Sequence, residues 1–219
     1  MNKLAIFDCD GTLVDSQATI CTAIAHSFAN HGLPGPGRAA SLDIIGLSVT
    51  EAMAKLHPHG TDEEHRSLGD GYKLAFQKLR ADGLAQEPLY DGIGGVLDKL
   101  EADGWLLAVA TGKSDRGLSL CLMGHGWLGR FVSLQTADRH PSKPHPSMIH
   151  HAMADAGASP ETTVMIGDTS YDMLMARAAG CTAIGVAWGY HEAAELEAAG
   201  ADVVVATAAE LSAFLERLP

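Results

Sequence analysis

From Ile93 onward, short apolar runs alternate with segments of helical length, and few architectures accommodate that rhythm. Trp105 to Ala110, Phe131 to Leu134, Thr163 to Ile166, Thr182 to Val186 and Val203 to Val205 read as strands. They are too short for helices and are bounded by turn residues. Between and after them, helical spacing covers Ile93 to Leu100, Asp115 to Met123, Pro146 to Ala156, Ser170 to Ala179 and Ala208 to Leu218, with Gly104, Gly157 and Gly180 as stops. Leu4 to Phe7 adds a first strand near the N-terminus. Strands joined by helices of this length run parallel, in a sheet covered on both faces. The expected fold class is therefore α/β, a doubly wound parallel sheet, and ligands of such sheets sit outside the carboxyl ends of the strands.

One segment breaks the rhythm. From Gln17 to Gln86 the pattern is helical, with no strand. Ala18, Ile20, Cys21, Ile24, Ala25 and Phe28 recur at helical spacing, and the run His31 to Gly37, rich in Pro and Gly, stops that helix. Thr61 followed by Glu64 forms a capping-box pattern that opens a helix reaching about Ala81. The expected organisation is thus a core made of residues 1–16 and 87–219, with a small all-helical domain, residues 17–86, inserted after the first strand.

In a parallel sheet, the residues that end each strand share one edge, and here that edge is rich in oxygen. Asp8 and Asp10 leave the first strand, and Gly11 permits a sharp turn after them. Two such acids suit a nucleophile paired with a proton donor, although Asp and Gly also end strands for conformational reasons alone. Thr111-Gly112-Lys113-Ser114 precedes a helix, where a hydroxyl and free backbone N–H groups make an anion site, or simply a cap. It is not a Walker A loop, because Leu107 stands where glycine is required. Asp168 follows another strand, with Asp172 four residues on, and hard oxygen ligands of this kind suit Mg²⁺. Lys143, in a proline-punctuated loop, offers the counter-charge that an acidic site needs to hold an anion.

The string Asp8-Cys9-Asp10-Gly11-Thr12-Leu13-Val14-Asp15-Ser16, with Thr111-Gly112, Lys143 and Gly167-Asp168 in order behind it, resembles the four signatures of the haloacid dehalogenase superfamily. The helical insert resembles the cap of its phosphatase branch, and the phosphoglycolate phosphatases in particular. The resemblance implies that Asp8 is the nucleophile and that Asp10 protonates the leaving group and then activates water. It implies that Thr111 and Lys143 hold the phosphoryl oxygens with help from the backbone of Gly112. It implies Mg²⁺ held by Asp8, by the backbone carbonyl of Asp10 and by Asp168, with Asp172 in support. Hinges are expected near Ser16–Gln17 and near Gln86–Pro88, and the partner is a small phosphorylated metabolite. Asp10 fits phosphate chemistry better than dehalogenation. Phosphonate hydrolysis calls for a cap lysine, for which Lys55, Lys73 and Lys78 qualify by type only. Sugar-phosphate and pyrophosphate hydrolysis, phosphomutase activity and a non-catalytic phosphate-binding module remain as alternatives.

Charge and composition narrow the field. With 15 Lys and Arg against 27 Asp and Glu, a net charge of −12 argues against nonspecific binding to nucleic acid or to anionic membrane. Cys9, Cys21, Cys121 and Cys181 are scattered, with no Cys-x-x-Cys pair, and read as reduced thiols. With no membrane-length apolar run and a strand beginning by residue 4, the expectation is a cytoplasmic protein, monomeric or homodimeric. Eleven histidines, four of them (His140, His145, His150, His151) around Lys143, raise a zinc or nickel site. Neighbouring helical positions do not face one ion, so they are expected to lie mainly at the surface, with His145 at the site's rim.

Overall fold

The computed structural model describes residues 1–218. Six strands, β1 (Leu4–Phe7), β2 (Leu106–Thr111), β3 (Ser133–Thr136), β4 (Thr163–Gly167), β5 (Thr182–Val186) and β6 (Val203–Val205), form one sheet in the order β3-β2-β1-β4-β5-β6. Every pairing is parallel. The doubly wound α/β expectation therefore holds. Strand β1 lies in the middle, and the chain winds away from it on either side, to β2 and to β4. That is the topological switch point where such sheets open a crevice.

The Leu-Ala-Ile-Phe run of β1 is apolar throughout because both faces of a central parallel strand are covered. Ala5 and Phe7 point to one layer, packed with Leu97 of α5 (Ile93–Ala102), Leu118 of α6 (Asp115–Gly124) and Leu211 of α10 (Ala208–Leu215). Leu4 and Ile6 point to the other, packed with Ile149 of α7 (Ser147–Ala156) and Met173 of α8 (Ser170–Ala179). Gly157 and Gly180 take left-handed conformations that end α7 and α8 as the sequence implied.

Residues 17–86 contain α1 (Gln17–Asn30), α2 (Arg38–Asp43), α3 (Val49–Leu56) and α4 (Asp62–Ala81), and no strand. Thr61 forms the capping box that opens α4, its hydroxyl accepting from the Glu64 backbone N–H. Ile24, Phe28, Met53, Leu68 and Phe76 make a separate apolar core for these helices. The helical unit joins the sheet through a two-stranded neck. Val14 bridges to Leu89, Asp15 N–H donates to the carbonyl of Pro88 (2.8 Å), and Gln86 N–H donates to the hydroxyl of Thr19 (2.8 Å).

Some boundaries differ from the sequence reading. β3 lies at Ser133–Thr136, two residues beyond Phe131–Leu134, because its polar side chains find partners: Gln135 Nε2 donates to Asp155 (2.9 Å) and Thr136 to Asp115 (2.7 Å). Pro146 is the cap of α7 rather than its first residue, and α10 ends at Leu215. Two short helices were not foreseen: α2, next to the Pro- and Gly-rich stop, and α9 (Ala193–Ala198), which buries only Leu196 and so shows little periodicity.

The helical unit rests on the carboxyl edge of the sheet. A Cβ at Gly112 would come within 2.5 Å of the carbonyl oxygen of Leu47 and 2.8 Å of that of Gly46, both on the α2–α3 loop. Ser48 N–H donates to Ser142 (2.8 Å), and Lys55 donates to Tyr171, whose hydroxyl donates to the carbonyl of Asp43. Gly112→Ala is therefore expected to lift this contact. Hydrogen exchange should rise in residues 44–48 and 85–88 while the amides of β1, β2 and β4 stay protected, and unchanged exchange in the loop would refute the tight fit.

Candidate active site

Past Phe7 the chain leaves the sheet and turns at Gly11, whose φ of 84° and contact with Asp168 both exclude a side chain. A Cβ there would lie 2.0 Å from Asp168 Oδ2. This turn holds Asp8 and Asp10 at the mouth of the crevice. Cys9 N–H donates to Asp8 Oδ1 (2.6 Å). Asp8 Oδ2 makes no hydrogen bond although it is buried; it lies 2.9 Å from Lys143 Nζ as an ion pair. Asp10 Oδ1 accepts from Ser16 and pairs with Lys113 Nζ (2.8 Å).

Thr111 is the last residue of β2, and Ser114 caps the following helix by accepting from Gly117 N–H (3.1 Å). The capping explanation for Thr111 therefore falls away. Its hydroxyl accepts only a long bond from Lys113 N–H (3.3 Å) and borders the same cleft as Asp8 and Asp10.

Lys143, although it lies in a loop, is only 1% exposed. Besides the contact with Asp8, its Nζ donates to Asp172 Oδ1 (2.7 Å). The other oxygen of Asp172 accepts from the hydroxyl (2.7 Å) and N–H (3.1 Å) of Thr169, the cap of α8. One carboxylate thus caps the start of a helix and anchors the lysine. Asp168 is held by the Thr12 hydroxyl (2.7 Å) and by Tyr190 N–H (3.0 Å).

Burial dominates the electrostatics. It pushes the Asp8 carboxyl up to about 7, against the opposing pull of Lys143. It also pushes Asp168 well above the usual carboxylate range, reinforced by Asp8 and Asp172. For Lys143, the two carboxylates outweigh burial and raise its pKa, so the ammonium is kept. Asp8, Asp168 and Asp172 each offer an oxygen within 4.8 Å of the others. Three buried acids with one lysine among them leave negative charge uncompensated, and low dielectric makes that costly. An all-oxygen donor set with a buried, unbonded carboxylate oxygen fits Mg²⁺.

Sequence reasoning passed over several residues here. Lys113 was weighed only within a look-alike phosphate loop, yet its side chain is 8% exposed and links Asp10 to Glu87 (2.8 Å each). Burial raises the Glu87 carboxyl, but Lys113 and Arg80 outweigh it and hold the group below the usual range. Phe76, Arg80 and Arg116 line the cleft together with Asp8 and Thr111, and so does Lys73, which the sequence offered by type only. The one available clue was the spacing of α4, which puts Tyr72, Phe76 and Arg80 on one face.

Among the described residues, no group of three with metal-ligand spacing contains a histidine. His145, His150 and His151 are exposed, and His140 is held by Ser147 and Gln135. Among the described residues, the aspartate triad is the only group of three with metal-ligand spacing. The Cys9 thiol lies 4.0 Å from that of Cys121, and this contact, together with burial, raises its pKa well above the ordinary value, which leaves it inert. No described helix is long and apolar enough to cross a membrane.

The profile of the Haloacid dehalogenase-like hydrolase family matches residues 5–186. The chain is 37% identical over 216 residues to "Probable phosphatase IndB" of Dickeya dadantii, covering 96% of this chain and 92% of that one. It is 34% identical over 219 residues to the phosphoglycolate phosphatase of Chromobacterium violaceum, covering 95% and 94%. The crystal structure of a predicted phosphatase from Clostridium acetobutylicum superposes over the full length of both chains with a TM-score of 0.89 at 25% identity. With its site-bearing loops inside the matched span, the chain belongs to the haloacid dehalogenase-like hydrolases.

Proposed function

We propose that the protein is a Mg²⁺-dependent phosphomonoester hydrolase that works through an aspartyl-phosphate on Asp8. The observation that carries this is Asp8 itself: a buried carboxylate with one oxygen free of hydrogen bonds, beside a buried ammonium and in the same cleft as Asp10 and Thr111. Asp8 attacks phosphorus as the bond to the leaving oxygen breaks, and Asp10 gives that oxygen its proton. Asp10 then takes a proton from water, which attacks phosphorus, and the bond to Asp8 breaks. Lys143, the Thr111 hydroxyl and the backbone of Gly112 hold the phosphoryl oxygens, and Asp172 holds Lys143. Mg²⁺ bound by Asp8, Asp168 and the carbonyl of Asp10 supplies the positive charge that lets an anionic nucleophile meet an anionic ester.

The helices of residues 17–86 act as a cap that covers the cleft and excludes water. Ile20, Ile44, Met53 and Phe76 give the cleft apolar walls, and Lys73 and Arg116 bring positive charge to it. Arg116 has no ion-pair partner among the described residues. A small leaving group with its own anionic end fits this lining. Phosphoglycolate is the substrate we favour, on the relatives' names as well as this chemistry. We place the protein in the cytoplasm, with a metabolite as its partner.

Phosphate release from a panel of phosphoglycolate, sugar phosphates, nucleoside monophosphates and pyrophosphate, with Mg²⁺ or chelator, tests the reading. Turnover is expected only with Mg²⁺, and Asp8→Asn is expected to lower it by about 10³-fold or more without loss of fold. An active Asp8→Asn protein would remove the mechanism, and an inert wild type would favour the binding module.

A second expectation concerns pH. The folded protein keeps the Asp8 proton up to about 7, whereas the unfolded chain loses it near 3.8. In that window the native state binds more protons, so the contribution of Asp8 to stability falls as pH rises. A cation that binds the ionised group offsets the loss. The rise in melting temperature on adding MgCl₂ should be larger at pH 8 than at pH 5.5, and an equal rise at both would contradict it.

A further inference from the structure

Lys113 sits between the proton donor and the neck of the cap. Its Nζ lies 2.8 Å from Asp10 Oδ1 and 2.8 Å from Glu87 Oε1. Glu87 belongs to the second linker, and its other oxygen pairs with Arg80 at the end of cap helix α4. Phe76, also on α4, covers both cations, with its ring centroid 5.3 Å from the Lys113 nitrogen and 5.0 Å from the Arg80 guanidinium. The chain of charges therefore runs Arg80, Glu87, Lys113, Asp10, from cap to core.

Its effect on Asp10 is geometric. Oδ1 is engaged twice, by Ser16 and by Lys113. Among the described residues Oδ2 has no hydrogen bond, and Asp10 borders the cleft. A carboxylate pinned at one oxygen has its second oxygen fixed in direction, and here that oxygen is the one left to serve the leaving group. Such orientation counts, because proton transfer requires hydrogen-bond reach.

We propose that Lys113 is a positioning residue for Asp10, holding it in the orientation that protonates the leaving group, and that Glu87 and Arg80 tie this orientation to a seated cap. The proposal rests on the phosphatase reading and on Asp10 as its general acid.

A structural role alone would reduce turnover of all esters alike, so the test compares leaving groups. kcat/KM covers steps up to release of the leaving group. An alkyl phosphate needs its oxygen protonated, whereas 2,4-dinitrophenyl phosphate departs readily without help. Lys113→Met is expected to lower kcat/KM by about 10²-fold for the best alkyl ester of the panel, and at least about tenfold less for the dinitrophenyl ester. Lys113→Arg should restore most of the loss. Glu87→Gln should reproduce the same bias more weakly, since Lys113 keeps Asp10 but loses its tie to Arg80. Should Lys113→Met fold poorly with two carboxylates left to one cation, Arg80, the double variant Lys113→Met, Glu87→Gln restores the charge balance and is expected to keep the bias. Equal losses on both esters, or no loss in folded variants of an active protein, would overturn the proposal alone. A wild type inert toward both esters, or Asp8→Asn as active as wild type, would overturn the phosphatase reading and this proposal with it.

Discussion

A fully buried ammonium held between two fully buried carboxylates is the interaction on which the rest of this site depends. Lys143 comes from a loop, Asp8 from the end of β1 and Asp172 from the first turn of α8, and each is nearly inaccessible to water. Removing the lysine would leave two carboxylates facing each other in a medium of low dielectric, a penalty of several kcal/mol. These three segments are therefore bound into one arrangement by charge as well as by packing. Asp172 serves twice, since the oxygen that does not meet Lys143 closes the capping box of α8. The helix start and the site form together.

A second lysine repeats the theme at lower burial. Lys143 joins Asp8 to the start of α8, while Lys113 joins Asp10 to the linker that leads into the helical unit. Of the two carboxylates of the Asp8-Cys9-Asp10 loop, one is thus tied to the core and the other to the linker of the helical unit. An overall charge of −12 makes these local cations more important. An anion is repelled by the protein as a whole, so any attraction to it has to be local.

Much of this was legible in the sequence, for reasons that follow from the sheet. Because every strand runs parallel, the residues that end β1, β2 and β4 had to meet at one edge, so Asp8, Asp10, Thr111 and Asp168 could be grouped without coordinates. The residue type of Lys143 was legible but its burial was not, since that depends on loops far apart in the chain closing over it. Lys113 was hidden by its neighbours: a Gly-Lys-Ser string invites comparison with phosphate loops and draws attention from the side chain's own direction. β3 was misplaced because its polar residues are satisfied by Asp155 and Asp115, partners that hydropathy does not register. Helix α9 left little trace because alanine and glutamate carry no apolar stripe.

The neck between sheet and helical unit has a consequence for how such a protein can change over time. The chain departs at Asp15 and returns at Pro88 along adjacent, hydrogen-bonded segments, so the two ends of the insert lie side by side. An insertion whose ends already meet asks little of the structure that receives it. Strand β1 and its pairing with β2 and β4 lie wholly on the near side of that junction. Helical units of different size and lining can be exchanged there as cassettes, provided that the newcomer offers the Gly112 backbone a surface without a clash and Glu87 a cation. Diversification by replacement above a fixed chemical floor is thus built into the way the two segments enter and leave.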